Sequence, residues 1–134
     1  PVLELPINAP ESGLAWAYVE PPRMFMSLID GNPRVNGYSG FFPPRYPTDV
    51  HSLATFPTTA ALATADELGV RYVIIRWQTV GNFSGDVEQL MNSNGVGRYT
   101  RAEAARRLAA IPAARVRAVA TVDGAYVVTL RPRP

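Results

Sequence analysis

The stretch VRYVIIRW, residues 70–77, is the part of the sequence that decides the fold. Val73, Ile74 and Ile75 form its apolar centre, and β-branched residues of this kind favour strands. Because these apolar residues are consecutive, we expect both faces of the strand to be covered, as is typical of a central strand. The sequence therefore predicts a strand in the middle of a sheet.

A helix is predicted immediately before this strand, in FPTTAALATADELG (residues 56–69). Thr58 or Thr59 is the expected N-terminal cap, and Gly69 is the expected stop. Apolar residues at helical spacing predict its buried stripe, which consists of Leu62, Ala65 and Leu68. A helix, a glycine and a two-sided strand form the second half of a βαβ unit, which indicates an α/β fold.

A β-hairpin is predicted near the C-terminal end of the sequence. Asp123-Gly124 lies between two β-rich runs and is the strongest short signal for a two-residue hairpin loop. Such a loop places Val119 opposite Val128. The bulkier face of the hairpin is expected to meet the core, and it carries Val119, Tyr126, Val128 and Leu130. The smaller residues lie on the other face: Ala118, Ala120, Val122, Ala125 and Val127.

The clearest helix is TRAEAARRLAAI, residues 100–111, which ends before Pro112. Thr100 and Glu103 have the spacing of a capping box. The predicted buried face carries Ala104, Leu108 and Ile111. The arginines Arg101, Arg106 and Arg107 lie mostly off that face.

Three further elements are predicted in the first half of the chain. Residues 2–5 indicate a short strand that stops at Pro6. RMFMSLID, residues 23–30, is compatible with helix or strand; helix is favoured because prolines precede it and Gly31 follows as a cap. Thr48 or Asp49 is expected to cap a short helix.

Together these elements predict a small α/β domain of two or three layers. Its mixed sheet has about four or five strands, resembles a fragment of a Rossmann fold and ends in the C-terminal hairpin. A length of 134 residues favours one domain over residues 1–134. The sequence begins PVLELPI without an initiator methionine, so we interpret it as a piece of a longer protein.

Composition excludes several classes of function. There is no cysteine, so disulfides, zinc–thiolate sites and cysteine nucleophiles are excluded. All 13 basic residues are arginine, which we interpret as the composition of a high-GC bacterial genome. A net charge of +2 from scattered arginines does not indicate a nucleic-acid partner.

The sequence contains little that indicates catalysis. His51 is the only histidine, so a hydrolase would have to combine it with Ser39 or Ser84. Both serines lie near glycines, in GYSG and NFSG, but neither fits the G-x-S-x-G pattern of a nucleophile elbow. No ligand spacing predicts a metal, and a chain without lysine has no nucleotide phosphate loop. We therefore expect no cofactor and no catalytic residue.

The stretch VNGYSGFFPPRYP, residues 35–47, is the main candidate for a functional surface. It combines four aromatic residues with three prolines and two glycines. One interpretation is a loop that packs its aromatic rings over the sheet. The other is a binding surface, because arginines recognise phosphate and aromatic rings stack on sugars. The candidate binding residues are Arg34, Asn36, Tyr38, Ser39 and Arg45.

Three segments carry a resemblance to a known class of protein. VLELP opens a strand, MFMSLIDGNPRVNGYSGFFPP follows, and ELGVRYVIIRW contains the central strand. The hairpin segment DGAYVVTL is also similar. This pattern resembles the C-terminal extracytoplasmic domain of bacterial multi-pass membrane proteins that are similar to GT-C glycosyltransferases, the class that uses polyprenyl-phosphate sugars.

The resemblance implies a soluble, non-catalytic accessory domain on the extracytoplasmic face of the cell membrane. In GT-C enzymes the catalytic carboxylates lie on loops of the membrane portion, so the resemblance places no catalytic residue in this chain. Its implied partners are the membrane portion of the same polypeptide and a polyprenyl-phosphate sugar or glycan acceptor. The alternative is a stand-alone module that binds a small sugar or phosphate.

Overall fold

The computed structural model describes residues 1–7, 27–35, 44–78 and 98–133. In these ranges helices pack against a sheet, so the predicted α/β class is confirmed. The strands are β1 (Val2–Leu5), β2 (Tyr72–Arg76), β3 (Val116–Val122) and β4 (Ala125–Leu130). The helices are α1 (Tyr46–Ala54), α2 (Thr59–Glu67) and α3 (Arg101–Ala110), and residues 27–30 are also helical.

The strands form one mixed sheet in the order β1-β2-β4-β3. β1 is parallel to β2, whereas β4 is antiparallel to both of its neighbours. The predictions that β2 is an inner strand and that the hairpin belongs to the same sheet are therefore confirmed. Outside β1, Arg34 forms an isolated parallel bridge with Val2. Two backbone hydrogen bonds hold this bridge, from Val2 N to Pro33 O (2.7 Å) and from Val35 N to Val2 O (2.8 Å).

The hairpin has the predicted turn and register. Asp123 and Gly124 both have positive φ, 40° and 71°, which is the requirement of a type I′ turn. Val119 pairs with Val128, as the two-residue loop requires. Tyr126 packs against the core, and Val128 and Leu130 are buried in it, so the predicted core face of β4 is confirmed.

Val119 departs from its predicted environment. It shares the core face with Val128 but is 46% exposed. The reason is strand order: β3 is the outermost strand, and the helices cover the sheet over β1, β2 and β4. The hairpin sequence predicts which residues share a face but not which strand lies at the edge.

The prediction that β2 is covered on both faces is only half right. Val73 and Ile75 are fully buried and face the core helices. On the opposite face Ile74 is half-buried and Tyr72 is 41% exposed. The consecutive apolar residues therefore mark an inner strand with one strongly buried face.

Helices α1 and α2 lie between the parallel strands β1 and β2 in sequence, which completes the predicted βαβ unit. Thr58 caps α2 as predicted, because its hydroxyl accepts a hydrogen bond from Ala61 N (3.3 Å). Gly69 follows the helix with φ +68°. The predicted helix over residues 23–30 is confirmed for residues 27–30, which are helical and are followed by Gly31 with φ +67°; residues 23–26 lie outside the described residues.

The predicted start of α1 is wrong. The helix begins at Tyr46, before Thr48 and Asp49, and its N-cap is Arg45, whose side chain makes no capping hydrogen bond. Pro47 accounts for the difference, since proline is tolerated in the first turn, where a backbone N–H has no helical partner. Asp49 consequently lies inside the first turn.

Thr100 caps α3 as predicted, by accepting a hydrogen bond from Glu103 N (3.1 Å). Glu103 directs its carboxylate to Arg106 and Arg107, so it pairs along the helix. Arg107 is less solvent-exposed than predicted. Its guanidinium donates to Phe56 O and lies 4.6 Å from the centre of the Tyr99 ring, which ties α3 to the end of α1.

Candidate functional site

Arg34 and Arg45, two of the predicted binding residues, lie on the wall of one cavity of about 300 Å³. The other three, Asn36, Tyr38 and Ser39, lie outside the described residues. We call this space the Arg34–Arg45 cavity. It is lined by Pro1, Pro33, Arg34, Val35, Arg45, Tyr46, Asp49, Val50, Leu53 and Leu68.

Two elements build this cavity. The segment 33–35 forms one wall, because its bridge to Val2 fixes it beside β1. The first two turns of α1 form another wall, where Tyr46 and Asp49 lie close to the helix start. Val50 and Leu53 are buried and supply an apolar floor. The cavity therefore combines an apolar base with charged groups, as small-ligand sites commonly do.

Arg45 is the accessible cation of the cavity, since its side chain is 74% exposed. Its Nη2 lies 2.9 Å from Glu67 Oε2 and 3.6 Å from Asp49 Oδ1. The hydrogen bond that Arg45 donates to Glu67 is the main cause that raises the pKa of Arg45, and the charge of Asp49 adds to it. Exposed ion pairs of this kind contribute little net stability. A phosphate can therefore replace Glu67 on Arg45 at small cost.

Arg34 has a different environment, because its side chain is only 5% exposed. Its Nη2 lies 2.7 Å from Asp30 Oδ2, and its Nε lies 3.9 Å from Glu4 Oε2. The pKa of Asp30 is lowered, first by the hydrogen bond from Asn32 N and then by the one from Arg34. These contacts hold Arg34 in the wall of the cavity, where it positions the segment 33–35.

Sequence reasoning missed Glu4, which connects this wall to the sheet. Glu4 is 1% exposed within β1, and Arg76 Nε donates a hydrogen bond to its Oε1. Arg34 lies on its other side. A lone carboxylate in an otherwise apolar strand was the available signal, since a buried charge needs paired partners.

The hydrolase alternative stays a prediction, because His51 is its only residue within the described ranges. His51 lies in α1, and its Nδ1 is 2.6 Å from Pro47 O. Ser39 and Ser84 lie outside the described residues. In the same part of the chain, histidines and carboxylates form no group of three that could hold a metal.

Comparison with known proteins adds no relative. No protein family model matches the chain, and neither the curated proteins nor the solved structures contain a match. Within the described segments, none of the helices is long and apolar enough to cross a membrane. The resemblance to GT-C glycosyltransferases remains a prediction from the sequence.

Proposed function

We propose that this chain is a non-catalytic accessory domain of an integral-membrane, glycosyltransferase-like protein. On this proposal it lies on the extracytoplasmic face of the membrane and binds a sugar phosphate in the Arg34–Arg45 cavity. The main support for a binding role is that Arg34 and Arg45, two predicted binding residues, line one cavity with an apolar floor. The membrane context rests on the resemblance of the sequence alone.

The groups in the cavity suit a ligand that has both a phosphate and hydroxyls. Arg45 offers an exposed guanidinium, which binds phosphate oxygens in a forked geometry. Asp49 has a carboxylate 3.6 Å from Arg45 and accepts hydrogen bonds from hydroxyl groups. Tyr46 packs partly against the core and lines the cavity beside them, and an aromatic ring in a cavity wall suits contact with a sugar.

No group in the described residues suggests a reaction. We therefore expect the 134-residue chain to transfer no sugar and to hydrolyse none by itself. The chain would instead hold a lipid-linked sugar or an acceptor for a catalytic centre elsewhere in the protein, or stabilise the membrane portion. A stand-alone binding module would use the same cavity, and apolar spans encoded upstream of Pro1 would favour the membrane protein over it.

Titration with glucose 1-phosphate and with glucose, followed by NMR, tests the binding role. The substitution Arg45→Gln should weaken glucose 1-phosphate binding about tenfold, because hydrogen bonds to charged groups contribute roughly 1.5–3 kcal/mol. Asp49→Asn should weaken both ligands, since it changes the group expected to contact hydroxyls. Arg106→Gln, at an exposed arginine on α3, is the control and should leave both affinities unchanged.

Two results would contradict the proposal. One is an Arg45→Gln variant that binds glucose 1-phosphate as tightly as the unaltered chain. The other is chemical-shift changes that map away from α1 and the segment 33–35. In the full-length protein, replacing Arg45 by alanine should lower glycosyl transfer about tenfold if the cavity presents the substrate.

A further inference from the structure

A second group of arginines lies at one end of the sheet and shares no residue with the Arg34–Arg45 cavity. Arg71 directly precedes β2, Arg115 directly precedes β3, and Arg133 follows β4. Backbone hydrogen bonds bring the three segments together, from Leu130 N to Arg71 O (2.9 Å) and from Arg131 N to Arg115 O (2.8 Å). We call Arg71, Arg115 and Arg133 with the nearby Asp66 the Arg71–Arg133 patch.

Two concave spaces give this patch room for a ligand. One, of about 320 Å³, is lined by Thr59, Leu62, Ala63, Asp66, Pro112, Arg115 and Arg133. The other, of about 220 Å³, is lined by Asp66, Gly69, Val70, Arg71, Pro132 and Arg133. Asp66 and Arg133 border both spaces, so the two are adjacent.

The charges of the patch do not balance. Asp66 contacts Arg115 through both carboxylate oxygens, with Arg115 Nη1 3.1 Å from Asp66 Oδ2, and both side chains are less than one-fifth exposed. Arg71 and Arg133 are exposed and form no ion pair within the described ranges. Glu67, the next residue after Asp66, pairs with Arg45 at 2.9 Å. Among the described residues, Arg71 and Arg133 therefore border the cavities without a carboxylate partner of their own.

The C-terminal end of α2 explains why one arginine lies in the patch, but it does not explain the other two. Asp66 lies in the last turn of α2, and a cation near a helix C-terminus is favoured by the helix dipole. Arg115 fills that role through its contact with Asp66. Since Asp66 also fixes the guanidinium of Arg115, the patch contains one positioned arginine and two that are available to an anion.

We propose that the Arg71–Arg133 patch binds a phosphate group. Phosphate oxygens accept paired hydrogen bonds from guanidinium forks, and neighbouring cations strengthen the attraction at low ionic strength. The phosphate belongs to a soluble phosphate ester or to the headgroup of an anionic phospholipid. This site is independent of the proposed function, because it uses none of the residues of the Arg34–Arg45 cavity.

The test compares two double variants that remove the same charge from the 134-residue chain. Arg71→Gln/Arg133→Gln alters the patch. Arg101→Gln/Arg106→Gln alters exposed arginines of α3, one of which lies 5.8 Å from the ring centre of Trp77, beyond the opposite end of β2. Circular dichroism confirms the fold of each variant. Pyrophosphate is titrated by calorimetry, and binding to phosphatidylcholine vesicles with and without phosphatidylglycerol is measured by sedimentation.

The patch variant should bind about tenfold more weakly than the unaltered chain, while the α3 variant should bind with less than about a twofold change. If only pyrophosphate shows this difference, the ligand is a soluble phosphate ester; if only phosphatidylglycerol vesicles show it, the ligand is a lipid headgroup. Equal losses in both variants, or no binding of the unaltered chain to either probe, would overturn the proposal. The difference between the two double variants should persist when both also carry Arg45→Gln, which separates the patch from the cavity.

Discussion

The two outer strands of the sheet, β1 and β3, differ sharply in burial. All four residues of β1 are buried, whereas six of the seven residues of β3 are exposed. Outside β1, residues 33–35 bond to the backbone of Val2. β3 is the last strand of the sheet that the described residues form, and its pairing with β4 shifts register between Val116 and Ala118.

This difference shows two ways of managing the edge of a sheet. An exposed edge strand presents unpaired backbone groups to other chains, and proteins either cover it or interrupt its regular pairing. β1 is covered, at the cost of burying a carboxylate that needs arginine partners. In β3 the pairing register is irregular, and the exposed Arg117 lies at the shift. We therefore expect stability to depend strongly on β1 and weakly on the exposed face of β3.

The largest expected effect is at the buried carboxylate of β1. Glu4→Gln leaves Arg76 without the charge of its hydrogen-bond acceptor, and breaking a buried ion pair destabilises by about 3–5 kcal/mol. Glu103→Gln is the matched control, because Glu103 also pairs with two arginines but is 27% exposed on α3. Its cost should stay below about 1 kcal/mol. Urea unfolding measures the cost of each substitution. Equal costs would mean that burial does not make the Glu4 ion pair more important than the exposed one.

The next effect compares one aliphatic residue on each edge strand, both on the core face. Leu3 is fully buried, so Leu3→Ala should lower the free energy of unfolding by about 3 kcal/mol through lost apolar contacts and a cavity. Val119 is 46% exposed, so Val119→Ala should cost about 1 kcal/mol or less. Midpoints of urea unfolding give both values. A Val119→Ala cost as large as that of Leu3→Ala would mean that β3 is covered in solution.

The smallest expected difference is between two glycines, one near each outer edge of the sheet. Gly31 precedes the segment 33–35, and Gly124 precedes β4 in the hairpin turn; both have positive φ, 67° and 71°. A Cβ at Gly31 meets nothing within 4 Å, so Gly31→Ala should cost only the backbone preference, about 1 kcal/mol. A Cβ at Gly124 would lie 2.5 Å from Gln78 Cβ, so Gly124→Ala should cost about 2 kcal/mol or more.

Thermal or urea unfolding of the two glycine variants decides between backbone preference and crowding. If Gly124→Ala costs no more than Gly31→Ala, the side chain of Gln78 moves aside without loss. Combining Gly124→Ala with Gln78→Gly, which removes that Cβ, should then recover no stability. If crowding operates as we expect, that second substitution should recover about half of the lost stability.

The sequence predicts the local features of this fold well because their causes are local. The turn at Asp123-Gly124 and the caps at Thr58 and Thr100 depend on residues within a few positions of each other. The start of α1 was misplaced because Pro47 in the first turn competes with Thr48 and Asp49 as a signal, and standard capping preferences do not rank them.

Features that depend on strand order could not be predicted. The exposure of Val119 follows from the outer position of β3, which the pairing pattern of a hairpin does not contain. The hydrogen bond between Glu4 and Arg76 joins residues 72 positions apart. For the candidate site, the sequence proposed Arg34 and Arg45 together, but the burial of Arg34 depends on the bridge between segment 33–35 and β1.

The pairing of β1 also bears on how the chain assembles in time. β3 and β4 are joined by two residues, and contacts between sequence neighbours form at a small entropic cost, within about 1–10 μs for an isolated hairpin. β1 must instead meet residues 72–75, far along the chain, before its ladder can form. Loop-closure entropy therefore favours an early hairpin and late docking of β1. Until β1 docks, β2 is itself an open edge of the growing sheet.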